Sequence, residues 1–161
     1  MNFLIVTGLS GAGKSMAVNA LEDIGFFCID NIPAGLLPRI LDFAQQGENQ
    51  LSRVAVVMDI RGLHSVQETN EALEALDEKK MPYDILFLDA SDAAIRRRYK
   101  ETRRVHPMTI SEGIPVSEAI TKERQILQPL RERAKYVIDT SLLSTAQNRE
   151  RVSSLFLQKG Q

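Results

Sequence analysis

The chain has one cysteine, no tryptophan and almost no net charge, and it contains no apolar run of membrane length. Each shortage closes off a class of protein. With Cys28 alone, neither an internal disulfide nor a four-cysteine zinc site can form. A formal charge of −1, from 20 Lys and Arg against 21 Asp and Glu, argues against a chain that binds polyelectrolytes over its whole surface. The first apolar run, Phe3–Thr7, is too short and too uncharged in its flanks for a secretory leader, and nothing approaches the ~20 apolar residues of a membrane helix. These shortages together predict a cytoplasmic protein that does not engage a membrane. Cys28 itself lies in the strand-like run Phe26-Phe27-Cys28-Ile29 and reads as a buried, inert thiol.

What is present is ordinary in amount and orderly in arrangement. With 161 residues, 43% hydrophobic and 25% charged, the chain is sized for a single domain, 1–161. Apolar, β-branched runs at 3–7, 26–30, 54–60, 85–89 and 136–139 predict strands. Helical spacing predicts helices over 14–24, 34–46, 65–80, 92–103, 116–134 and 144–158, with Pro33 at a favoured helix start. Strands alternating with helices predict an α/β fold, a doubly wound parallel five-stranded sheet. The order 2-3-1-4-5 is the one expected if the chain is built like a P-loop kinase.

The strongest local signal is Gly8-Leu9-Ser10-Gly11-Ala12-Gly13-Lys14-Ser15, which fits G-x-x-x-x-G-K-[ST] between a predicted strand and a predicted helix. Glycines let such a backbone turn tightly and present N–H groups to an anion. Lys14 supplies charge for β- and γ-phosphates, and the Ser15 hydroxyl suits Mg²⁺. The positive end of the following helix dipole faces the same anion. A nucleoside triphosphate with Mg²⁺ is therefore the expected ligand. Neither N-K-x-D nor T-K-x-D, the segment by which many GTPases read guanine, occurs, so ATP and GTP both stay open.

The metal calls for an acid at the end of a neighbouring strand. Both Asp59 and Asp89 end apolar runs, and either could instead cap the next turn. Asp59 is favoured because it heads Asp59-Ile60-Arg61-Gly62, a D-x-x-G in which Gly62 can offer its N–H to a γ-phosphate. Asp30, ending the second strand, is a candidate to accept a proton or order a water, with a helix cap as the alternative. Between 96 and 104 six residues of nine are basic: Arg96, Arg97, Arg98, Lys100, Arg103 and Arg104. Arg96, Lys100, Arg103 and Arg104 share one side at helical spacing. A lid whose arginine, Arg104, stabilises transferring charge competes here with an anion or RNA surface and with a solvated helix face. His64 and His106 read as ordinary surface or loop histidines.

Several of these stretches, taken together, resemble the N-terminal domain of the RapZ/YvcJ nucleotide-binding proteins, also called RNase adapter proteins. The resemblance is carried by Gly8–Ser15, by Asp30-Asn31-Ile32-Pro33 within 21–33, by Asp59-Ile60-Arg61-Gly62, by Leu86-Phe87-Leu88-Asp89-Ala90 and by Thr102-Arg103-Arg104-Val105-His106-Pro107. It implies ATP binding at 8–15, GTP binding at 59–62 and slow hydrolysis; the residues read above make Lys14, Asp59, Asp30 and Arg104 the candidate catalytic set. Members are bacterial regulators, some of which bind small RNA and direct its decay by an RNase, and homo-oligomers are plausible by analogy. They run well beyond this length, with a C-terminal domain, so the resemblance carries only the nucleotide module onto these residues. A small-molecule kinase and a nucleotide-gated binding module are the competing expectations.

Overall fold

In the computed structural model, residues 2–30, 32–45, 53–58, 65–78, 80 and 82–157 are described. Five strands form one parallel sheet: β1 (Asn2–Gly8), β2 (Phe27–Ile29), β3 (Arg53–Val57), β4 (Asp84–Asp89) and β5 (Tyr136–Asp139). Their order is β2-β3-β1-β4-β5, as expected. The helices are α1 (Lys14–Asp23), α2 (Leu37–Gln45), α3 (Val66–Glu78), α4 (Asp92–Thr102), α5 (Pro107–Glu112), α6 (Val116–Arg133) and α7 (Thr145–Leu157). A 3-10 turn, Ala34–Leu36, precedes α2.

The sheet is legible because its central strands are covered on both faces. Phe3, Leu4, Ile5 and Val6 are all buried, as are Val54–Val57 and Ile85–Leu88, so these strands read as unbroken apolar runs and show no alternation. The chain leaves β1 in one direction to reach β2 and makes every later step in the other. Right-handed crossovers then place α1 on one face, where α7 packs against it, and α2, α3 and α6 on the other. Such a reversal beside the first strand opens a crevice at the carboxyl edge of the sheet, where ligands bind in this class of fold.

The opposite edge is closed by Arg53, at the start of β3. Its guanidinium donates to the carbonyl of Ile24 (2.6 Å) just past α1 and to that of Phe156 (2.9 Å) in the last turn of α7. It also lies over the Phe26 ring, 4.6 Å from the centroid.

Two expectations for the stretch after β4 need correction. The basic helix ends at Thr102, because Arg103 adopts a left-handed conformation (φ 55°) as the C-cap. Arg103 and Arg104 therefore leave the helical stripe that Arg96 and Lys100 follow. The stretch between α4 and α6, for which no helix is predicted, holds α5, started by Pro107 and stopped by Gly113 at φ 69°. Cys28 is half-buried, and burial, reinforced by Glu22, pushes its thiol up to about 11, which accords with an inert group.

Candidate functional site

The glycine-rich loop leaves β1 at the carboxyl edge, and its root is closed to any side chain. Gly8 pairs with Leu88 of β4 at φ 146°, where an added Cβ would stand 2.2 Å from the Leu88 carbonyl oxygen. Leu9 N–H donates to that same oxygen (3.2 Å), and Ala12 N–H to the Leu9 carbonyl (3.0 Å). Lys14, the first residue of α1, folds back so that Nζ donates to the carbonyls of Gly8 (2.9 Å) and Leu9 (3.0 Å). Gly13 stands at φ 103° with Asn148 filling the space where its Cβ would be.

Three successive carbonyls on the outer side of the loop are tied down by donors from three different elements. Arg98 of α4 donates to Gly11 (2.9 Å), Thr140 Oγ1 just after β5 donates to Ala12 (2.7 Å), and Asn148 Nδ2 of α7 donates to Gly13 (3.4 Å). Arg98 also bonds Thr140 through its hydroxyl (3.0 Å) and its carbonyl, so the guanidinium locks α4 and the β5–α7 turn onto one loop. Partial burial, then the adjacent Arg97, lowers the Arg98 pKa. Among the described residues nothing accepts from the N–H groups of Gly11, Gly13 or Ser15. Of these open amides, that of Gly13 shares its peptide plane with the tied Ala12 carbonyl, and open N–H groups at the start of a helix are the donors that an anion takes.

Ser10 departs from this pattern. Its N–H is held by both carboxylate oxygens of Glu123 in α6 (3.1 and 3.0 Å), and its hydroxyl donates to one of them (2.8 Å). The other partner of Glu123 is His106. His106 Nδ1 accepts from the Met108 N–H (3.0 Å), which leaves Nε2 as the donor to Glu123 (2.9 Å). Both side chains are completely buried. His106 is thus no surface histidine: it is the N-cap of α5, wedged beneath Tyr99, whose ring meets it edge-on at 5.8 Å. Burial pushes the Tyr99 phenol up to about 12.

The acids separate by their neighbours. Asp89 is committed to the fold: Oδ1 accepts from the Ala90 N–H (2.8 Å) and from Arg124 (2.9 Å), and Oδ2 accepts from Arg131 (3.2 Å). Asp59, Ile60, Arg61 and Gly62, with His64, lie outside the described residues. Asp30 is exposed just past β2, two strands and so about 10 Å across the edge from β1. Ser15 is exposed at the head of α1, and Arg103 and Arg104 are exposed beyond α4. Among the described residues no group of three or more His, Cys, Asp or Glu could cage a metal. Mg²⁺ takes one or two protein oxygens and fills its shell with phosphate oxygens and water, so it does not require such a cage. The Ser15 hydroxyl, next to the open amides, fits such a role.

Sequence reasoning brought 8–15 to one place but missed Glu123, Thr140 and Asn148, and saw Arg98 only as one charge in a run. Thr140 follows the last strand beside the loop, and that position was the available signal. Glu123 and Asn148 sit in unremarkable helical sequence and had none.

The comparisons with known proteins agree with this architecture. The shikimate kinase of Bacteroides thetaiotaomicron aligns with a TM-score of 0.57, at 14% identity and over 99% of both chains. A gluconokinase of Sinorhizobium meliloti aligns at 0.54, with 16% identity, over 98% of this chain and 92% of its own. At such identities the likeness establishes the fold, that of the P-loop kinases. In sequence, a protein of Moorella thermoacetica named "Nucleotide-binding protein" is 50% identical over 157 residues, 95% of this chain and 52% of its own length. One of the same name from Alkaliphilus oremlandii is 43% identical over the whole chain and 55% of its own length. The chain spans about half the length of the curated relatives it matches. No helix among the described residues is long and apolar enough to cross a membrane. Residues 1–160 match the family described as the RapZ-like N-terminal domain, and the chain belongs to that family.

Proposed function

We propose that the chain binds a nucleoside triphosphate, ATP or GTP, with Mg²⁺ at the 8–15 loop and hydrolyses it slowly by in-line attack of water on the γ-phosphate. The observation that carries this is the loop's polarity: carbonyls 11, 12 and 13 are taken by protein donors, while the N–H groups of Gly11, Gly13 and Ser15 have no protein acceptor among the described residues. The relatives named as nucleotide-binding proteins point the same way.

On this reading Lys14 exchanges its two loop carbonyls for β- and γ-phosphate oxygens. Ser15 and Asp59 hold the metal, which offsets charge on the same oxygens. Gly62 offers its N–H to the γ-phosphate. Asp30 orders the attacking water or accepts its proton, and Arg104 stabilises charge as the bond breaks. Small-RNA or protein partners and self-association belong to the longer proteins, for which this domain supplies the nucleotide-dependent part.

Titration with Mg·ATP and Mg·GTP tests the site. Lys14→Ala is expected to raise the dissociation constant at least about tenfold, a loss of ~1.4 kcal/mol, with the melting temperature preserved. Full affinity and turnover in a folded Lys14→Ala protein would refute it. A second reading, transfer to a small-molecule acceptor, draws on the exposed Asp30 at the edge of the same crevice. Transfer of labelled phosphate to any metabolite faster than to water would favour it.

A further inference from the structure

Three of the side chains that grip the loop are donors; Glu123 alone is an acceptor. A carboxylate oxygen and a phosphate oxygen compete for the same kind of partner, and at Ser10 the carboxylate has taken it. The carboxylate shares the Ser10 N–H between its two oxygens and takes the Ser10 hydroxyl on one of them, so a side-chain acceptor facing Ser10 is what the contact requires. Burying that charge is costly unless donors surround it, and here three do: the Ser10 amide, the Ser10 hydroxyl and His106. Two of the three belong to the loop itself.

We propose that Glu123 is a positioning residue of the nucleotide site. It holds the outer turn of the loop at Ser10 and removes the Ser10 N–H from phosphate contact, so that the open donors begin at Gly11. His106 seats the carboxylate from its other side and fastens the start of α5 to the same point. The ligand part of this inference rests on the reading of 8–15 as a nucleotide loop; the grip on Ser10 stands apart from it and can be measured without ligand.

Amide NMR and Mg·ATP titration of the 161-residue chain test both parts. In Glu123→Ala the Ser10 amide resonance should move and the dissociation constant should rise tenfold or more. Glu123→Gln keeps an acceptor for the Ser10 N–H and should restore affinity to within about threefold of the parent. Arg133→Ala, which breaks an exposed ion pair of the same helix with Asp77, should change neither readout. A residue of merely structural importance would lower the melting temperature in Glu123→Ala and leave affinity per folded molecule unchanged, and affinity within twofold of the parent overturns the proposal. A Gln variant as weak as the Ala variant overturns it too, because charge would then matter in place of the acceptor. Should Glu123→Ala fail to fold, Ser10→Ala, which removes only the hydroxyl donor, should weaken binding two- to fivefold, and no change there is equally decisive. If the parent binds no triphosphate, the nucleotide reading falls, and an unmoved Ser10 amide in Glu123→Gln and Glu123→Ala would overturn the grip as well.

Discussion

The loop at 8–15 and the basic segment at 96–113 lie against each other yet hold their important atoms by opposite means. In the loop those atoms are backbone, and most are fixed before any ligand arrives: Gly8 is pressed against β4, and carbonyls 11, 12 and 13 are tied to α4, the β5–α7 turn and α7. In the segment the atoms are side chains, and apart from two they project into solvent. Arg98 reaches the loop and His106 is sealed beneath it, while Arg96, Lys100, Arg103 and Arg104 are exposed. One region is preorganised and the other is tethered at two points. Preorganised donors suit the binding of a fixed anion, and a tethered cationic strap suits charge that develops during reaction.

The sharpest way to break the contrast is at the loop's root. Gly8→Ala forces a Cβ to within 2.2 Å of the Leu88 carbonyl, which is backbone and cannot swing aside. A loss of at least ~3 kcal/mol in urea unfolding is expected, the range of strained-backbone substitutions. Next in size is His106→Ala, which deprives a fully buried carboxylate of one of its three donors and opens a cavity under Tyr99. About 3 kcal/mol of stability should go by the same measurement, and α5 should lose protection from hydrogen exchange before the sheet does. Lys100→Ala stands at the other extreme. Its side chain is exposed and makes no ion pair among the described residues, so unfolding should shift by less than about 0.5 kcal/mol. A large effect there would mean that the exposed cations are also structural, and the contrast would collapse.

How much of this was written in the sequence depends on where each partner lies. The sheet was visible because β1, β3 and β4 are covered on both faces and so read as apolar runs. The loop was visible because its donors, lysine and hydroxyl lie within eight residues. The start and stop of α5 were present as Pro107 and Gly113, but six residues give no period to recognise. His106 could not be read as buried, since its partner Glu123 lies 17 residues on and its other support, Tyr99, belongs to a different helix. Position at a strand end did not separate Asp59 from Asp89, and only the D-x-x-G favoured Asp59; the ties of Asp89 to Arg124 and Arg131 come from more than thirty residues away.

Arg53 has a consequence at the far end of the molecule from itself. The two helices whose carboxyl ends it holds, α1 and α7, run side by side in the same sense, and their heads converge at Gly13. Their aligned dipoles repel, which a cation at the shared negative pole relieves on one side only. At the other pole two partial positive ends lie side by side, so a multivalent anion placed there would be drawn by both helices at once.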